Sequence, residues 1–155
     1  MNLTDVLIAF FMSMLPIIEL RGGIIYAAAR GVPFILAFIV CYIGNILPVP
    51  FILIFLRKIF NLMRRFKYTR RIVEWLEKVA RSKEGRIQKY SLLGLFIISM
   101  LPLPGMGTWT GALVAVVLDI QIKKSFPVIA LGALVAGIIM SVLSFAIPGL
   151  FFPKT

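Results

Sequence analysis

Apolar residues fall along this chain in long and short runs. Two runs are long, one opening at Pro33 and continuing to Leu56, the other opening at Pro127 and continuing to Pro148. Each exceeds the ~20 residues that a helix needs to cross a hydrocarbon core of about 30 Å. The remaining runs are about half that length. Residues 6–18 are apolar, then Glu19, Arg21, Gly22 and Gly23 interrupt them before Ile24–Ala29 resumes. Residues 91–118 follow the same plan, broken at Pro102–Gly111 and ending in Ala112–Leu118, with Asp119 after them.

The two broken segments share a phrase. Phe10-Phe11-Met12-Ser13-Met14-Leu15-Pro16 returns 86 positions later as Phe96-Ile97-Ile98-Ser99-Met100-Leu101-Pro102, with five of seven residues identical. Pro33 and Pro127, 94 positions apart, occupy matching places and each suits a first helical turn. Residues 6–28 could be one spanning helix with an ion pair at its middle, or two half-helices that enter and leave on one side. Irregular backbone at that depth is tolerated only where protein or a water cavity covers it. Inside the first long run, Gly44, Asn45, Pro48 and Pro50 predict a kink, and Asn45 should face protein rather than lipid. Gly132, Gly137 and Ser141 are small residues suited to close helix contact in the second long run.

Between the halves lies a different pattern. In residues 57–90, Ile72, Trp75, Leu76 and Val79 follow helical spacing, with Thr69 as N-cap, Glu74–Lys78 and Glu77–Arg81 as favourable pairs, and Gly85 as a stop. This stretch holds twelve of the seventeen Lys and Arg, including Arg64, Arg65, Lys67, Arg70 and Arg71. Two readings stand, an interfacial helix with its basic face toward anionic headgroups or a solvated linker helix, both on the cytoplasmic side.

Composition agrees: 61% of residues are hydrophobic, 15% charged, and the net charge is +11. The local surplus beside apolar runs points to membrane lipid as partner and away from nucleic acid. If both broken segments re-enter, fourteen Lys and Arg lie inside (the twelve with Lys123 and Lys124) and two outside (Arg30, Lys154). If all four segments span, the division is thirteen and three. The positive-inside rule favours re-entry, and short broken segments in corresponding positions point to a transporter with inverted repeats. Asp5, and the lack of a basic leader, argue against a signal peptide.

Chemistry is confined by what is missing. The sequence has no His, and Cys41 is alone, so it serves as a small packing residue and no thiolate metal centre forms within one chain. No cofactor or metal is expected, and Ser13 and Ser99 lack a base partner, which disfavours an enzyme. The candidates for a substrate or proton site are Glu19, Arg21, Gly22, Gly23 and Asn45 in the first half, with Pro102, Pro104, Gly105, Gly107, Thr108, Trp109, Thr110 and Asp119 in the second. An ionisable group at mid-membrane costs about 3 kcal/mol on insertion scales, so Glu19 and Arg21 stand out. Glu19 is the candidate proton carrier. Arg21 offers a fork for phosphate or carboxylate, or pairs with Asp119. The second break offers backbone N–H groups, hydroxyls and an indole, with half-helix N-termini that favour an anion.

The phrases Met14–Gly23 and Leu101–Gly111 resemble the small multi-drug export protein family of prokaryotes, over nearly the whole chain. That resemblance implies export across the cytoplasmic membrane. The layout of paired hairpins also resembles the DedA superfamily, which implies movement of lipids or lipid-linked phosphates driven by the proton-motive force. An acid in the first hairpin fits that pattern, whereas the second hairpin has no Arg and Arg21 lies in the first.

The expected fold is an all-α integral membrane protein of two inverted repeats (1–56 and 91–155). Each is a re-entrant helical hairpin plus one spanning helix, joined by the basic amphipathic linker 57–90. The expected function is a small secondary transporter, proton-coupled, for an amphipathic or anionic solute. A lipid flippase and a membrane assembly factor docking through its basic helix are the alternatives. A homodimer would supply cover that two spanning helices lack.

Overall fold

The computed structural model describes residues 2–66, 70, 71, 74, 75, 78, 87–101 and 106–146. Among these the secondary structure is entirely helical. Seven helices follow in order: α1 (Leu3–Met14), α2 (Glu19–Ala29), α3 (Phe34–Ile46), α4 (Val49–Arg65), α5 (Ile87–Met100), α6 (Thr108–Val117) and α7 (Ile122–Ala146).

Among the described residues two stretches are long and apolar enough to cross a membrane, Phe34–Met63 and Ile122–Ala146. Less than half of each is buried inside the protein, so most of their apolar surface faces outward, as lipid contact requires and a soluble core helix does not. The first is α3 running into α4. Pro48 and Pro50 remove two backbone donors, yet Leu47 and Pro48 keep helical dihedrals. The amide of Leu47 reaches the Ile43 carbonyl, and that of Ile52 reaches the Pro48 carbonyl, both at 2.9 Å. Hydrogen bonding is therefore carried through the joint between α3 and α4.

The short helices pair. α1 packs on α2 and α3, and α5 packs on α6 and α7. α1 ends at Met14 because Leu15 precedes a proline, which excludes helical ψ; Leu15 has ψ 140°. One core gathers Leu20, Ile24 and Ala27 of α2 with Ala9, Ala37, Cys41 and Met140. A second gathers Ala112 and Ala115 of α6 with Leu53, Leu95 and Ile129.

Several contacts recur between the halves with a shift of 86 or 88 residues. After α2, the Gly31 amide bonds to the Ala28 carbonyl and Val32 to Ala27; after α6, Asp119 bonds to Val116 and Ile120 to Ala115. Both are Schellman caps with a left-handed residue, φ 71° at Gly31 and 51° at Asp119. A side chain at Gly23 would run into Ser13, and one at Gly111 into Ser99. Gly44 lies against the Phe10 carbonyl, Gly132 against that of Phe96. The shift is 86 in α1/α5 and 88 from α2/α6 onward, because the second break is two residues longer.

Four sequence expectations change. α7 begins at Ile122, not Pro127, so Phe34 and Ile122 are the corresponding helix starts and Pro127 lies inside a helix. Its missing N–H frees the Lys123 carbonyl in a turn where Lys123 and Lys124 are exposed, so the loss is tolerated there. α4 runs on to Arg65, because the change from Leu56 to Arg57 marks the end of the apolar environment and not of the helix. Glu19–Gly23 and Thr108–Gly111 belong to the first turns of α2 and α6, leaving the breaks shorter. In the linker the ion pair is Arg70–Glu74, at 2.6 Å, rather than one to Lys78; Lys67, Thr69, Glu77, Arg81 and Gly85 lie outside the described residues.

Candidate functional site

The start of α2 and the start of α6 meet at Glu19. This residue takes a left-handed conformation, φ 51°, where a side chain is disfavoured by roughly 1 kcal/mol. Its amide is anchored on the Leu15 carbonyl at 2.9 Å. The side chain is 7% exposed and points at the first turn of α6. There Oε1 accepts the Trp109 backbone N–H at 3.3 Å and lies 3.4 Å from the Thr108 hydroxyl. The anion at that helix N-terminus is thus the protein's own carboxylate, where the helix dipole favours it.

Gly107 makes the approach possible. A Cβ there would overlap both oxygens and the carboxyl carbon of Glu19. In the register of the halves Gly107 is the counterpart of Glu19 itself, 88 positions on.

Thr108 links the acid to α3. Its hydroxyl donates to Asn45 Oδ1 at 3.0 Å, and both residues are almost wholly buried. A hydroxyl has one proton and here has two acceptor neighbours. An ionised Glu19 competes with Asn45 for that proton. A protonated Glu19 can donate to Thr108 while Thr108 donates to Asn45, and every oxygen in the row is satisfied. The cluster therefore has a complete hydrogen-bond arrangement for each protonation state, given that the Asn45 amide can turn.

Arg21 lies two residues on and reaches across the same junction. Its guanidinium donates to the carbonyls of Leu101, at 2.5 Å, and Met106. These carbonyls bracket the second break, so Arg21 ties its two ends together. Arg21 does not pair with Asp119. That residue sits at the far end of α6, about 15 Å along the helix from Thr108 at ~1.5 Å per residue. It lies 3.6 Å from Arg57, whose guanidinium also donates to the Ile120 carbonyl.

The structure thus gathers Glu19, Arg21, Asn45, Gly107, Thr108 and Trp109 in one place. Gly22 and Gly23 serve packing, where a Cβ would strike Ile18 and Ser13 respectively. Thr110 stands in the first turn of α6, half-buried. Pro102, Pro104 and Gly105 lie outside the described residues. The Trp109 indole N–H is buried and has no hydrogen-bond partner among the described residues. Among the linker cations Arg65, Arg70 and Arg71 are exposed, whereas Arg64 extends α4.

One cluster was not foreseen. Asp5 of α1 is buried and accepts from Arg30 Nε at 2.9 Å and the Tyr26 hydroxyl at 3.1 Å, closing the open end of the α1–α2 pair. An acid in the first turn of an apolar helix was the available signal. No group of three or more metal-ligating side chains occurs among the described residues.

No curated protein and no solved structure matches the chain. A family model described as "Putative small multi-drug export protein" matches residues 19–139, a stretch that holds every residue gathered around Glu19. Because that match covers most of the sequence, the chain belongs to the small multi-drug export protein family.

Proposed function

We propose that this chain is a proton-coupled secondary transporter of the prokaryotic cytoplasmic membrane, not an enzyme, and that it moves an anionic or amphipathic solute. The observation that carries this reading is the Glu19 carboxylate seated on the N-terminus of α6. That seat is an anion site already occupied. When Glu19 takes up a proton, its hold on the Trp109 N–H weakens and the helix terminus becomes free for an anionic group of the solute. Return of the carboxylate expels that group. Proton and anion therefore bind together and leave together. Arg21 keeps the second break in shape, and the unpartnered indole of Trp109 adds a donor.

The inverted-repeat and re-entrant arrangement belongs to the same proposal. It is supported by the shared caps and glycine contacts, and by helices of 12 and 11 residues, ~18 Å or less, that cannot span alone. In this arrangement residues 57–90 face the cytoplasm. Single cysteines replacing Arg30 and Lys123 in a Cys41→Ala background should label from opposite faces with an impermeant thiol reagent; labelling from one face defeats it.

The function is tested in liposomes carrying the purified protein and an imposed pH gradient, with small organic anions and cations as candidate solutes. Glu19→Gln should keep the fold and lose gradient-driven uptake. Uptake unchanged by that substitution sinks the proton-carrier role. Movement of a phosphate-headgroup lipid without solute uptake would support the flippase instead.

A further inference from the structure

Ser141 and Ser144 of α7 are buried, at 0% and 2% exposure, and neither hydroxyl has a hydrogen-bond partner among the described residues. A serine inside an apolar helix ordinarily returns its hydroxyl to the carbonyl four residues back, as Ser13 does to Ala9 at 2.8 Å. These two do not. A buried hydroxyl without a protein partner costs about 1–3 kcal/mol unless water or a solute satisfies it.

Their location gives the two hydroxyls a common direction. α3 and α7 run antiparallel: the Tyr42 hydroxyl bonds to the Ala130 carbonyl at 3.0 Å, Phe38 lies at Gly137, and the Phe34 and Phe145 rings meet at 5.3 Å. Gly137 also faces Leu20, the residue after Glu19, which sets a level along α7; the Glu19 carboxyl itself lies farther from the Phe34 end, beside Thr108 and Asn45. Ser141 follows Gly137 by four residues and Ser144 by seven, which places all three on one face of the helix. Ser141 is therefore ~6 Å and Ser144 ~10 Å beyond that level, at about 1.5 Å per residue, toward the end where α3 begins.

We propose that Ser141 and Ser144 line a narrow water-holding path between the Glu19 cluster and the membrane face at the Pro33–Phe34 end. The path's value to the protein rests on Glu19 being the proton carrier, since it would give that acid contact with one face only. Its existence does not rest on that reading.

The test uses silver ion, small enough to follow water and reactive toward thiols wherever water lets them ionise. Single cysteines replace Ser141, Ser144 or Val142 in the full-length Cys41→Ala protein in liposomes. Val142 is 50% exposed on the outward apolar surface and serves as the lipid-facing control. After silver treatment the protein is denatured and remaining thiols are counted with a fluorescent maleimide. Serine to cysteine is a conservative change, and each variant is accepted only if it elutes as the parent does in detergent. Ser144→Cys and Ser141→Cys should be blocked at least tenfold faster than Val142→Cys. Equal rates for all three would overturn the path. Rapid blocking together with uptake indifferent to Glu19→Gln would keep the path and discard the proton reading. Slow blocking together with loss of uptake in Glu19→Gln would do the reverse.

Discussion

Replacing Gly107 with alanine adds one methyl group at the point where the two halves touch. The backbone permits it, since φ 165° is extended. The space does not, because the new carbon overlaps the Glu19 carboxyl group. Glu19 has little room to yield, being buried and tied by its amide to Leu15. Two costs follow. The carboxylate loses the Trp109 N–H and the Thr108 hydroxyl, at 3.3 and 3.4 Å; at those long distances the loss is about 1.5 kcal/mol, the low end for charged hydrogen bonds. Forcing extra volume into a packed site adds ~1–3 kcal/mol. The expected destabilisation is therefore about 2.5–4.5 kcal/mol, a large part of the ~5–15 kcal/mol typical of a folded domain. Gly94→Ala in α5 is the matched control. A Cβ there meets nothing within 4 Å, so helix propensity alone should stabilise by ~0.5–1 kcal/mol. Unfolding of both variants would be followed by tryptophan fluorescence in mixed micelles titrated with a denaturing detergent. If Gly107→Ala unfolds within 0.5 kcal/mol of Gly94→Ala, a difference ~2-fold in equilibrium constant, the contact with Glu19 is not what requires glycine.

Arg21→Gln should cost about 1.5–3 kcal/mol by leaving the Leu101 and Met106 carbonyls without their charged donor, and Arg21→Lys should recover only part of that in the same titration. Asp119→Gly should stabilise by ~0.5–1 kcal/mol, because it relieves a φ of 51° and gives up only a 3.6 Å pair in which Asp119 is 68% exposed; Gly31→Ala, at φ 71°, should destabilise by a similar amount. A double-mutant cycle of Asp5→Asn and Arg30→Gln should give a coupling of about 0.2–1 kcal/mol that shrinks in high salt, since Arg30 is 56% exposed.

Much of this architecture is visible in the order of apolar and polar residues. Half-length runs ending in Pro16 and Pro102 mark the paired short helices, and a proline dictates the extended residue before it. Asn45 is legible as a group that must turn inward. What was hidden depends on geometry across the chain. Polarity alone does not reveal that Asn45, Thr108 and Glu19 form a row, because they are separated by 63 and 89 residues and meet only when α2, α3 and α6 are packed. The prolines suggest the wrong register: Pro33 stands before its helix, whereas Pro127 lies inside one, and the caps, helix starts and glycine contacts give the shift of 88. The end of α4 was hidden too, since hydropathy reports the surroundings of a helix and not its backbone. Buried serines read as packing residues until their missing partners are seen.

Positions 19 and 107 answer one another across the halves, and one is an acid exactly where the other has no side chain. Two identical halves could not build this junction. With glutamate at both places, two carboxylates would claim one volume and repel each other; with glycine at both, no carboxylate would reach the first turn of α6. The junction therefore needs two unequal halves, and carrying both in one chain guarantees that each molecule holds one of each kind. A single chain thus keeps the two sides of this contact in fixed stoichiometry.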